Sequence, residues 1–221
     1  MSDDCNKIVS IIAMLTFASV QVLLTEDLPK EETRIEQYVN YAAHQDIYKA
    51  FNIESRYWLL GFNFESPHTA NKSCVYFKTH SLTTTAMNYS SHFIKYGNCK
   101  GSIEYIGEFY KGPLTSDTGN MERETANSLR ARTASGAWIV MNYTLIYSDY
   151  ESCAVFRVPN MTDGSGCMVL GTDPVNGMTL RCETMFNSSC GKYHRFERVP
   201  GTECEKKHSE TKKICDPYLP K

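Results

Sequence analysis

Hydrophobic and polar positions are most clearly ordered between residues 137 and 190, and the rest of the chain is organised around that stretch. Residues 137–147 read as a strand, Ser148 to Glu151 as a turn, and Cys153–Val158 as a second strand stopped by Pro159. After a polar, glycine-containing loop, residues 167–170 predict a short third strand. Residues 174–190 predict a helix, because Met178, Cys182, Met185 and Phe186 recur on one face at spacings of three and four. A cysteine stands at nearly every junction.

The same reading extends along the chain. Residues 41–51 predict a short helix, with Ala42 and Ala43 favouring it and Ile47, Tyr48 and Phe51 at near-helical spacing. Residues 57–64 form an aromatic-rich strand ended by Pro67. In residues 73–80, Val75, Phe77 and Thr79 alternate with Cys74, Tyr76 and Lys78. Residues 82–96 are rich in Ser, Thr and Tyr, which suits an antiparallel strand or hairpin with one wet face. Residues 103–110 are another strand. Gly112-Pro113 opens a long polar segment, residues 114–135, expected to hold one weak strand at most, with much exposed loop. Residues 192–221 read as charged and irregular, held down by their cysteines. The sum is a mainly β chain of seven or eight short antiparallel strands between two helices. A closed barrel suits it, because closure removes exposed edges; a sandwich is the second arrangement.

Composition narrows the setting. A length of 221 residues suits one domain, or at most two small ones. The net charge of -2 gives no bulk attraction to nucleic acid or membranes. Residues 8–24 are mostly apolar but too short and mixed to span a bilayer. They read as a secretory signal peptide, residues 1–24, cut somewhere between 18 and 25, although Asp3 and Asp4 are unusual ahead of Lys7. A polar segment (25–40), the barrel (41–204) and a disulfide-tethered tail (205–221) would follow. Of nine cysteines, Cys5 leaves with the leader. The other eight, Cys74, Cys99, Cys153, Cys167, Cys182, Cys190, Cys204 and Cys215, fit a disulfide framework in an oxidising compartment, with more than a hundred pairings open. Glycosylation sequons begin at Asn71, Asn88, Asn142, Asn160 and Asn187. Together these features predict a secreted, extracellular glycoprotein.

No catalytic constellation is visible. Phosphate-binding glycine loops, Gly-x-Ser-x-Gly and His-Glu-x-x-His are all missing, and the six histidines form no ligand pair at helical spacing. No enzyme activity, cofactor or metal is expected. An eight-stranded barrel still leaves room for one small ligand.

Three stretches carry a resemblance. Residues 147–159 (Tyr-Ser-Asp-Tyr-Glu-Ser-Cys-Ala-Val-Phe-Arg-Val-Pro) resemble the signature strand-turn-strand of tick salivary lipocalins, the histamine-binding-protein family. Residues 43–49 resemble that family's N-terminal helix, and Cys182 to Phe186 with Cys190-Gly191 its C-terminal region. The resemblance covers about residues 41–204, specific in these stretches and loose over 82–135. It implies an eight-stranded antiparallel lipocalin barrel with a short N-terminal helix and a C-terminal helix packed outside, secreted in saliva as a monomer. It also implies capture of small host mediators such as histamine, serotonin or leukotrienes. Some relatives act on complement or immune cells, and some of those carry a sterol or fatty acid. By likeness, Cys153 would pair with Cys182, and Cys74 with Cys204 or Cys215. The rest, including Cys99, Cys167 and Cys190, stay open.

The chain departs from the family's amine-binding motif. Cys153, Val155 and Cys182 are kept, but Ala154 stands in place of an aspartate, and Met168-Val169-Leu170 in place of Glu-Leu-Trp. A buried ammonium without a carboxylate carries a desolvation cost of roughly several kcal/mol, only partly offset by aromatic faces. Ala154, Phe156, Met168 and Leu170, joined by Phe64, predict an apolar wall suited to a fatty acid, eicosanoid or sterol. The alternative, a biogenic amine, would need acids such as Glu104 or Glu108, which share a strand face. The strand carrying Asn142 has two registers. A glycan there would turn Tyr143 inward; the family register, toward which the alignment leans, turns Asn142 and Thr144 inward instead. A third expectation is a protein-interaction module acting on host complement or immune cells through residues 114–135 and the tail.

Overall fold

The computed structural model describes residues 34–65, 70–95, 99–136, 140–190, 196–197 and 201–217. The expected leader, Pro67 and residues 137–139 of the expected strand lie outside them. Two short 3-10 helices, Ile35–Gln37 and Val39–His44, lead into helix α1 (Ile47–Phe51). The single helix expected over 41–51 is interrupted at Gln45 and Asp46. Buried Gln45 donates from Nε2 to the carbonyls of Ile35 and Ile146, and the Asp46 carboxylate caps α1 by accepting from the Lys49 amide.

Strands β1 (Tyr57–Phe62), β2 (Lys72–Leu82), β3 (Ala86–Lys95) and β4 (Cys99–Tyr110) form an antiparallel meander. A small separate hairpin follows, β5 (Leu114–Ser116) with β6 (Gly119–Met121). Then come β7 (Ser128–Thr133), β8 (Met141–Ser148), β9 (Cys153–Val158) and β10 (Gly166–Gly171). The hydrogen-bonded order is β1-β2-β3-β4-β7-β8-β9-β10, and β10 pairs back with β1, Trp58 opposite Gly171 and Phe62 opposite Met168. Eight strands therefore close a barrel. A two-residue strand, β11 (Phe196–Glu197), adds to β1. Helix α2 (Leu180–Ser189) and helix α3 (Gly201–Glu210) complete the chain.

Three expectations are corrected here. The segment 114–135 is not mainly loop: it holds the β5–β6 hairpin and β7, which the barrel needs between β4 and β8. In β7, Leu129 and Ala131 are buried while Arg130 and Arg132 are exposed, so the arginines mask an ordinary inside–outside alternation. The tail is not irregular throughout, since α3 occupies its middle. The other expected helix begins at Leu180 instead of Pro174. The Asp173 carboxylate holds the amides of Val175 and Asn176 in a turn, and the Thr179 hydroxyl caps α2 by accepting from the Cys182 amide.

Side chains divide into two clusters. The interior one includes Val75, Phe93, Ile103, Leu145 and Phe156. The outer one puts Trp58, Ile146, Val155 and Val169 beneath Cys182 and Phe186 of α2. Cys153 pairs with Cys182 and Cys167 with Cys190, fixing α2 to β9 and β10. Cys74 takes Cys204, the first of its two expected partners, and Cys99 takes Cys215.

Candidate functional site: the barrel cavity

The interior alternation leaves a cavity between α1 and the sheet. Phe51 of α1, Ile53, Ser55 and Tyr57 line one side. Phe77 and Thr79 of β2 and Met87 and Tyr89 of β3 line another. Leu129, Tyr143, Phe156, Met168 and Leu170 complete it from β7, β8, β9 and β10. The space open to a water's centre is about 40 Å³, room for a few waters, so a larger ligand must move side chains apart. The Phe51 ring is the obvious one to move: it stacks on Phe156 at 5.6 Å and on Phe109 at 6.4 Å.

No charged side chain lines the cavity among the described residues. Its polar atoms are hydroxyls. The Tyr57 hydroxyl donates to the Ala50 carbonyl at 2.9 Å, tying α1 to β1. Burial pushes the Tyr57 phenol up, with the Asp149 charge adding to it. Burial also pushes up Tyr143 and Tyr89, with Tyr143 and Tyr105 contributing at Tyr89. All three phenols keep their protons at physiological pH.

Of the residues singled out from sequence, Tyr143, Phe156, Met168 and Leu170 lie together in this lining. Ala154 and Phe64 are buried in the interior cluster behind it, Phe64 with its ring 5.9 Å from Phe62. Glu104 and Glu108 are elsewhere. In β4 it is Ile103, Tyr105 and Gly107 that point inward, so both glutamates are exposed on the outer face. Glu104 lies 3.5 Å from His80 Nε2, and Glu108 sits opposite Arg130. The register of β8 is the reverse of the one toward which the alignment leaned. Tyr143 faces in and Asn142 faces out, its Nδ2 3.4 Å from Asn160 Oδ1. A register shift against β9 between Leu145 and Tyr147 then sends Tyr147 to the outer cluster. Asn71, Asn88, Asn160 and Asn187 are exposed, and Asn142 is half-buried.

Tyr57, Phe77, Met87, Tyr89 and Leu129 were not foreseen as lining. Phe77 shares its face with Val75 and Thr79 in a visible alternation; Leu129 sits in a segment whose polar composition hides its strand.

A second hollow of about 390 Å³ opens at the barrel end formed by the β2–β3 turn and the end of β4. Asp46, Tyr48, Phe109, Tyr110 and Glu124 are among the residues around it. It does hold carboxylates, and its Phe109 stacks on Phe51, which lines the cavity.

The family model described as tick histamine binding protein matches residues 35–206. The chain belongs to this family. It is accordingly a binding protein of the lipocalin fold, with a small ligand as the cargo of its barrel, and not an enzyme. Comparison with curated proteins finds no match. Among solved structures, apocrustacyanin C1 is 13% identical with a TM-score of 0.51, covering 77% of this chain and 90% of that one. Japanin from Rhipicephalus appendiculatus, bound to cholesterol, is 13% identical with a TM-score of 0.49, covering 71% and 98%. The likeness to apocrustacyanin C1 is of fold. Among the described residues, no group of three or more His, Cys, Asp or Glu side chains is placed to hold a metal ion, and no helix is long and apolar enough to cross a membrane.

Proposed function

We propose that this member of the histamine-binding family is an extracellular carrier that sequesters a small, mostly apolar host mediator, such as a fatty acid, eicosanoid or sterol. The observation that carries this is the lining. Aromatic and aliphatic side chains surround the cavity, with Tyr143, Phe156, Met168 and Leu170 among them, and among the described residues no carboxylate is there to offset a buried ammonium. Apolar cargo displaces water at roughly 25 cal/mol per Å² of surface buried. Four disulfides support an oxidising, extracellular setting.

The second reading is a biogenic amine. The family's own description backs it better than it backs apolar cargo. Asp46 and Glu124 at the neighbouring hollow are the carboxylates it would draw on, in place of Glu104 and Glu108. Native mass spectrometry of protein secreted from eukaryotic cells, followed by organic extraction, separates the readings. A fatty acid, eicosanoid or sterol at near one-to-one supports the first. A co-purifying amine, with no lipid in the extract, contradicts it.

A further inference from the structure

We infer that the polar end of the cargo is an uncharged hydroxyl or carbonyl group, seated against the phenols of Tyr89 and Tyr143. The inference rests on the reading of the barrel cavity as the ligand site and names the chemistry that site selects.

Tyr89 comes from β3 and Tyr143 from β8, and both line the cavity. The Tyr89 ring is held in place by Tyr105 of β4, stacked at 5.0 Å with the planes 11° apart. Tyr57 shows what a tyrosine of this cavity does when the protein completes it: its hydroxyl donates to the Ala50 carbonyl. The Tyr89 and Tyr143 hydroxyls have no such partner among the described residues. A phenol in an apolar cavity needs one, because a polar group buried without a hydrogen bond is destabilising. Water can fill that role in the empty cavity, and a ligand that displaces the water must take it over.

The chemistry of the partner follows from what the wall lacks. Both phenols are protonated, so each offers one O–H donor and oxygen lone pairs. A carbonyl oxygen accepts from both. A hydroxyl donates to one and accepts from the other. An ammonium leaves both phenol hydrogens unused and brings a charge that no lining carboxylate offsets. A carboxylate uses the donors but brings a charge with no lining cation among the described residues, so of the apolar cargo classes proposed a sterol or other neutral lipid fits and an ionised fatty acid or eicosanoid does not. A neutral oxygen group is the one that uses the phenols at no cost in charge burial.

The test is calorimetric titration of the delipidated full-length secreted protein with four probes sharing one ring: propylbenzene, 2-phenylethanol, 2-phenylethylamine and phenylacetate. The alcohol is expected to bind about five- to tenfold more tightly than the hydrocarbon, the difference one or two hydrogen bonds make. In Tyr89→Phe/Tyr143→Phe that gap closes. The inference is overturned if the amine or the acid binds more tightly than the alcohol, or if the gap survives the double substitution. Failure of propylbenzene and all its analogues to bind would instead sink the cavity as the ligand site, and the inference with it.

Discussion

Arg157 donates from Nε to the Glu36 carboxylate at 2.8 Å, with both side chains almost wholly buried. The same guanidinium reaches the Ser189 carbonyl at 2.7 Å and the Cys167 sulfur at 3.2 Å. One side chain on β9 thus joins the N-terminal segment, β10 and the end of α2 across the outside of the barrel.

Removing one partner leaves the other charge buried. Arg157→Met is expected to cost about 3–5 kcal/mol, and Glu36→Leu in the same background to restore much of it. Urea unfolding of the two single variants and the double variant measures this. Additive losses would show that the two charges do not act as a pair.

His92 makes the outer wall acid-sensitive. Its ring stacks on Tyr76 at 4.7 Å, and Nε2 lies 2.8 Å from the Ser90 hydroxyl. Burial, then the charges of His208, His80, Lys78 and Arg56, pull its pKa from 6.5 down to about 4. The unfolded chain therefore takes the proton first. Its share of stability is complete above pH 6.5 and is lost as the pH falls toward about 4. His92→Gln should flatten stability against pH across that window. An unchanged slope would place the acid sensitivity in other groups.

The four disulfides should differ in worth according to the loops they close. Cys153 and Cys182 are 29 residues apart, Cys74 and Cys204 are 130. Loop-closure entropy gives about 4 kcal/mol for the first and about 5 kcal/mol for the second. Paired Cys→Ala variants, compared by denaturant midpoint, should lose more at Cys74–Cys204. A larger loss at Cys153–Cys182, whose sulfurs sit under α2, would mean that packing outweighs loop closure.

How far the sequence reveals this molecule depends on which forces each stretch expresses. Cys153–Val158 is legible because a nearly continuous apolar run, β-branched valines and a terminal proline agree. β7 is not, because Arg130 and Arg132 make a barrel strand read as polar loop. β4 was read as a strand, but its polarity could not be: Glu104 and Glu108 share a face, and only the pairing with β3 and β7 shows that the face is outward. In β8, the shift between Leu145 and Tyr147 that sends Tyr147 outward is a tertiary feature with no local signature. Ala154 and Met168 drew attention through the family motif. The barrel brings Met168 to the cavity and leaves Ala154 packed behind it.

Titration of histamine into the delipidated protein at neutral pH tests the central claim, that this barrel takes mostly apolar cargo and not a cation, most directly. The lining around Tyr143, Phe156 and Met168 predicts no saturable binding below the millimolar range, while a long-chain fatty alcohol binds one-to-one under the same conditions. Saturable histamine binding at micromolar strength would contradict the claim, and its loss in Asp46→Asn or Glu124→Gln would move the ligand to the hollow at the barrel end.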